Sequence, residues 1–308
     1  MFKYMTWTVS MKDKPTTEER IWAALSHLSA IAFGMGILLP VIGWSEQRWK
    51  SNYASFQSLQ ALGYQSLGYT IWILTTLVLI IFSSMGLVLG MESIENLDAE
   101  LWGWVIAHMI LMFGLIGLYL LLPVVGAITC ALGWDFRYPV LGNRLAKYLG
   151  YDSINDERPW LIEEHEDRWV AAMGHFAVII MLWGMLAPAT AWVLRGKHSP
   201  FLKFQSIQTV VYQILTTGLY FGSGVVYSFG FFAFVLITGF GTNAGLDSST
   251  GMIGILVLLA SIFVAMIIVM VVPMLHILGQ WAGYRVLKGD EYRYPVLGRL
   301  IERWTMRR

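Results

Sequence analysis

Six stretches of this chain are apolar almost without interruption: Trp22–Trp44, Ser66–Gly90, Leu101–Trp134, Trp169–Leu194, Ile214–Phe240 and Met252–Gly279. Each holds about 20 or more mostly uncharged residues, the length of helix that crosses a bilayer core. The pattern predicts an all-α integral membrane protein. Polar positions collect between the runs, and Thr16 with Glu19 has the spacing of a capping box, so the first helix should begin near Thr17. The first run does not read as a secretory leader, because a polar lead of about 18 residues precedes it and "GWSEQRW" offers no small-residue cleavage site.

The polar punctuation repeats. "SFQSLQALGYQ" from Ser55 returns as "KFQSIQTVVYQ" from Lys203, six of eleven letters identical at an offset of 148. The same offset carries Arg20, His27, Gly36, Pro40, Trp44 and Phe56 onto Arg168, His175, Gly184, Pro188, Trp192 and Phe204. The register then slips by eight, and "RYPVLG" at Arg137–Gly142 recurs letter for letter at Arg293–Gly298. A duplicated three-segment module, a frequent plan among membrane transporters, explains this spacing. It divides the chain into a polar lead (1–17), a first membrane repeat (18–150), an acidic linker (151–166) and a second membrane repeat (167–308).

Gly36 and Pro40 interrupt the first segment, and Gly184 and Pro188 interrupt its counterpart, so a bend or break is expected in each. Charge sharpens that expectation. If all six segments cross, one face of the membrane receives 14 of the 21 Lys and Arg residues and the other 7. If the first segment of each half dips in and returns, all 21 lie on one face, opposite "MESIENLDAE" and "GTNAGLDSST", which hold none. The stronger bias favours a pseudo-symmetric helical bundle of four full spans plus two re-entrant segments, six spans being the alternative, with the basic loops and tail cytoplasmic.

Gln57, Gln60 and Tyr64, with Gln65, and their counterparts Gln205, Gln208, Tyr212 and Gln213 form a helical stripe at the mouth of an apolar segment in each half. Amides at that depth are costly against lipid and must face protein or a wet cavity. Two readings stand. The stripes fasten neighbouring helices by hydrogen bonds, or they line a polar crevice between the halves. His27 and His175 are paired by the repeat. Facing histidines can hold haem iron, although a histidine hydrogen-bonded within its own module is the plainer reading. The exits Arg137-Tyr138-Pro139 and Arg293-Tyr294-Pro295 should stop the third helix of each half. Tryptophans near segment ends, among them Trp44, Trp169 and Trp192, read as interfacial anchors. "EEHED" at Glu163–Asp167 reads as a solvated helix start rather than a cation site.

Composition excludes several classes. Only 13% of the 308 residues are charged and 56% are hydrophobic, and the net charge of +1 gives no general affinity for nucleic acid. The single cysteine, Cys130, allows no intrachain disulfide and no multi-cysteine metal site. GxxxxGK[ST], HExxH and GxSxG are all absent, and no carboxylate pair lies inside an apolar run, so no enzyme, no metal and no proton relay is indicated.

The histidine-bearing first segment, the proline, "FQSLQALGYQ" and the final "RYP" resemble a widespread bacterial membrane domain of unknown function. That domain is itself similar to the Tic-type chloroplast inner-envelope protein-import component. Ser55 stands where the family pattern has a basic residue and Gln57 where it has histidine; Lys203 restores the basic residue in the second copy. The tandem arrangement departs from the usual single copy. Together these features predict a non-enzymatic accessory or scaffold subunit, with bound lipids, in contact with other membrane subunits or a second copy. A conduit for a peptide, lipid or small polar solute is the alternative that the resemblance implies, and a haem-binding redox subunit the second alternative.

Overall fold

The computed structural model describes residues 8–9, 14–90, 97–152, 160–243 and 248–305. Among these, the first repeat runs β1 (Thr8–Val9), α1 (Thr17–Leu28), a 3₁₀ tip (Ser29–Ile37), α2 (Leu38–Gln47), α3 (Asn52–Gly90), α4 (Leu97–Ala131), β2 (Asp135–Phe136) and α5 (Leu141–Leu149). The second runs α6 (Glu163–Phe176), a 3₁₀ tip (Ala177–Met185), α7 (Leu186–Arg195), α8 (Pro200–Asn243), α9 (Ser248–Leu287) and α10 (Leu297–Thr305). The fold is all-α apart from the two-residue antiparallel pair of β1 with β2.

Thr16 caps α1 as its spacing predicted: the hydroxyl accepts from the Glu19 amide and the Glu19 carboxylate from the Thr16 amide. Among the described residues, six segments are long and apolar enough to cross a membrane. Two of them double back. As one straight helix, residues 18 and 47 would lie about 43 Å apart; instead the Gln47 amide donates to Glu18 Oε1 at 3.2 Å. A Cβ on Gly43 would meet Ser26 Oγ at 2.9 Å and Trp22 at 3.4 Å, and one on Gly36 would meet Ser29 O at 1.9 Å. The second repeat folds alike, with Gly184 against Ala177 O and Gly174 against Pro188. Both first segments are therefore helical hairpins, which leaves α3, α4, α8 and α9 as the four continuous helices long and apolar enough to span.

The reversals fall at Phe33 (φ 49°, ψ −135°) and Met181 (φ 54°, ψ −126°), which are equivalent residues at offset 148. Side chains rarely adopt positive φ, at a cost of about 1–3 kcal/mol, so the packing on both sides must hold the turn. Gly36 and Gly184 allow the arms to touch. Pro40 and Pro188 sit in the first turn of α2 and α7, where a missing N–H costs little. A second strained pair marks the exits: Val140 (φ 65°) and Val296 (φ 64°) centre γ-turns, in which Leu141 N donates to Pro139 O at 2.6 Å and Leu297 N to Pro295 O at 2.7 Å. These turns launch α5 and α10, two short amphipathic helices that the exit motif alone did not announce.

At 39, 44 and 40 residues, α3, α8 and α9 are each about 58 Å or longer. The first turns of α3 and residues 205–209 of α8 are buried in a body made of both hairpins. Further along, Ile71, Leu77, Phe82, Phe113, Phe229 and Phe263 are exposed on an apolar surface suited to a bilayer interior. The largest core cluster lies between the repeats, joining Trp44, Phe56, Leu59 and Leu62 to Trp169, Met173, Ala187 and Leu202. Trp44 is fully buried and Trp169 nearly so, which corrects their reading as interfacial anchors; Trp102, Trp134, Trp192 and Trp281 remain exposed.

Candidate functional site

In each repeat the structure draws the glutamine stripe, the histidine and the exit motif into one buried network. Helix α3 supplies Gln57, Gln60 and Tyr64 from one face, α1 brings His27, and the strand after α4 brings Asp135, Phe136 and Tyr138. Gln57 Nε2 donates to Asp135 Oδ1 at 2.7 Å and to Phe136 O at 3.0 Å. Gln60 Nε2 donates to Gln57 Oε1 at 3.1 Å and to Phe136 O at 3.0 Å, while its Oε1 accepts from Tyr138 N at 2.9 Å. His27 Nε2 lies 2.9 Å from Gln57 Oε1, and Nδ1 lies 3.0 Å from Tyr138 Oη.

The protons follow from the chemistry. Gln57 Oε1 can only accept, so His27 carries its hydrogen on Nε2 and takes the phenol hydrogen of Tyr138 on Nδ1. Burial holds the Tyr138 phenol well above its ordinary range, so it stays a donor. Tyr64 stacks on Tyr138 at 4.2 Å between centroids and donates to Tyr119 O at 2.7 Å. Gln65 Nε2 donates to Ser26 O at 3.2 Å and Ser29 Oγ at 3.0 Å, tying α3 to the first tip.

Among the described residues, the second repeat reproduces the frame of this network, without a counterpart to the Gln57–Asp135 bond and with Thr209 Oγ1 added 3.0 Å from His175 Nδ1. His175 lies 3.0 Å from both Gln205 Oε1 and Tyr294 Oη. Gln205 and Gln208 donate to Tyr292 O at 3.1 and 2.8 Å, and Tyr294 N donates to Gln208 Oε1 at 3.4 Å. Tyr212 stacks on Tyr294 at 3.9 Å and donates to Leu275 O, and Gln213 donates to Gly174 O at 2.9 Å. Burial also holds the Tyr294 phenol well above its ordinary range. Gln57, Gln60, Gln205, Gln208, His27 and His175 are all fully buried. Each imidazole has both ring nitrogens engaged within its own repeat.

Arg137 is held by Asp135 at 3.1 Å and lies over the Phe56 and Tyr151 rings. Pro139 and Pro295 set the γ-turns, and Arg293 pairs with Glu302 at 2.9 Å. Among the described residues no group of three or more His, Cys, Asp or Glu could hold a metal ion.

A second polar cluster joins the repeats. Arg48, between α2 and α3, reaches Glu166 Oε2 at 2.9 Å and Asp167 Oδ1 at 2.8 Å, and Trp44 Nε1 donates to Glu166 Oε1 at 3.0 Å. Arg48 and Glu166 are almost wholly buried. This corrects the reading of "EEHED": Glu163 and Glu164 are exposed at the start of α6, but Glu166 and Asp167 face inward onto Arg48. Trp169 Nε1 donates to Leu59 O at 2.9 Å over the bare Gly63. The cluster is one-sided, since Gly196 stands at the position equivalent to Arg48. Partners 118 residues apart leave no spacing signal; an arginine beside the first apolar run and four carboxylates before the fourth were the only hints.

Fold and network together define a duplicated helical membrane protein whose repeats are each locked by a buried amide–imidazole–phenol lattice. A family model described as the magnetosome magnetite crystal formation protein family (MamF_MmsF) matches it twice, over residues 18–145 and 166–301, and the chain belongs to that family. None of the matches supports the relation to the Tic-type import component. No curated protein and no solved structure matches the chain.

Proposed function

We propose that this chain is a non-enzymatic scaffold of a biomineralising membrane, an accessory subunit that serves magnetite crystal formation as its family's description implies. One observation carries the reading. The amides of Gln57, Gln60, Gln205 and Gln208 and the phenols of Tyr64 and Tyr212 bond to partners in their own repeat, and the long spans beyond them present apolar side chains outward, so the architecture favours a fixed platform over a conduit. Both histidines already have two partners each, which favours a structural role over haem ligation. The Lys and Arg side chains among the described residues lie at the body end of the long helices, which by the positive-inside rule supports a cytoplasmic position for that end.

Deletion of the gene in its magnetite-forming host, with crystals sized by electron microscopy, tests the proposal. Crystals should change in size or number and recover when the chain is restored. Crystals indistinguishable from those of the parent strain would contradict it.

A further inference from the structure

The two repeats differ at one place where the difference leaves room for a ligand. In the first repeat the ring of Tyr151 stacks on Phe56 at 4.1 Å with 13° between planes, and the Arg137 guanidinium lies 5.8–5.9 Å from both rings. Tyr151 is nearly buried, Phe56 is wholly so, and the Tyr151 amide donates to Ala146 O at 2.8 Å. The chain leaving α5 thus plugs the cleft between α3 and the exit motif with a phenol.

Among the described residues, the same cleft stands open in the second repeat. Phe204 and Arg293, the equivalents of Phe56 and Arg137, keep their mutual placement at 6.0 Å. Between them lies a cavity of about 340 Å³ bounded by Phe201, Lys203, Phe204, Glu291, Arg293 and Glu302. Phe204 is partly exposed where Phe56 is buried, and Glu291 is exposed where its equivalent Asp135 is buried. Arg307 holds the position equivalent to Tyr151 in sequence, so the second copy has no tyrosine there.

We infer that the cavity beside Phe204 and Arg293 is a docking site for a tyrosine-bearing segment of a partner polypeptide, seated as Tyr151 is seated in the first repeat. A ring there gains a stacking face from Phe204 and a cation over its π-system from Arg293. The carboxylates of Glu291 and Glu302 balance the cations of Lys203 and Arg293 in the lining, so the site carries no net charge and suits a neutral phenol. A second copy of the chain is the poorer occupant, because its own Tyr151 would have to leave Phe56. This deepens the scaffold proposal and rests on it for biological use, but binding tests the site alone: the scaffold reading fails on crystals, the site on peptide.

The probe is the peptide acetyl-Leu-Gly-Tyr-Asp-Ser-amide, which copies residues 149–153, titrated against the full chain in lipid nanodiscs and followed by saturation-transfer NMR. Saturable binding is expected, with the tyrosine ring protons receiving most of the transfer and the Tyr→Ala peptide silent. Phe204→Ala should weaken binding about tenfold. Arg293→Gln, at an exposed position that spares the core, should weaken it about threefold. Absence of saturable binding, equal binding of the alanine peptide, or affinity unchanged in both variants would overturn the inference.

Discussion

The two repeats share one interior and differ at their edges. His27 and His175 bond to Gln57 and Gln205 and to Tyr138 and Tyr294 at nearly the same lengths, and Gln60 and Gln208 both donate to the backbone ahead of the exit tyrosine. Around this lattice the repeats diverge. Asp135 is buried behind Gln57 and Arg137, whereas Glu291 is exposed. Tyr151 closes one cleft, and the other is open. The spans differ too. A Cβ on Gly230 of α8 would lie 2.1 Å from Ser261 Cβ on α9. Helices α3 and α4 meet instead through side chains, Tyr64 and Tyr69 on Tyr119 and Ser83 on His108. The lesson is that the lattice specifies the module, while the edges are free to take separate tasks.

The largest effect should come from the one-sided join between the repeats. Arg48→Met would strand the buried carboxylates of Glu166 and Asp167 and cost about 3–5 kcal/mol. Glu18, the equivalent of Glu166, is exposed, and Glu18→Gln should stay within about 1 kcal/mol. Thermal unfolding in mild detergent measures both, and similar costs would erase the distinction between the repeats.

Next in size is the lattice. Gln57→Leu orphans His27 Nε2 and one oxygen of buried Asp135, while Phe136 O keeps Gln60, and should destabilise by about 3 kcal/mol. Gln205→Leu orphans fewer buried groups and should cost about 2 kcal/mol, with chemical denaturation as the readout. A larger loss for Gln205→Leu would reverse the proposed ranking.

The smallest contrast lies in the spans. Gly230→Ala forces α8 away from Ser261 and should cost about 1–3 kcal/mol. Gly86 in α3 has nothing within 4 Å, so Gly86→Ala should be neutral or gain up to about 1 kcal/mol from helix propensity. Equal melting shifts would show that α3 and α4 are as closely packed as α8 and α9.

Much of this was legible in the residues. The apolar runs, the duplication, the interrupted first segments and the charge bias together pointed to four spans and two hairpins, because length and lipid exclusion act on local sequence. What escaped acts at a distance or through the backbone. The reversals at Phe33 and Met181 use a conformation that their side chains disfavour, so propensity points elsewhere, to Gly36 and Pro40. Trp44 looked like an anchor because it ends an apolar run, yet Glu166, 122 residues away, buries it. Helix α5 did carry a signal, since Leu141, Leu145, Ala146 and Leu149 share one face. Its tyrosine exit motif drew attention from that spacing, and with it from Tyr151.

The account stands on the first segment returning to the side it left. Spin labels at Glu18→Cys and Glu46→Cys, with Cys130→Ala removing the native thiol, measure this in reconstituted membranes by pulsed dipolar spectroscopy. The hairpin predicts a separation below about 20 Å. A distance near the ~42 Å that 28 residues of continuous helix span would contradict it.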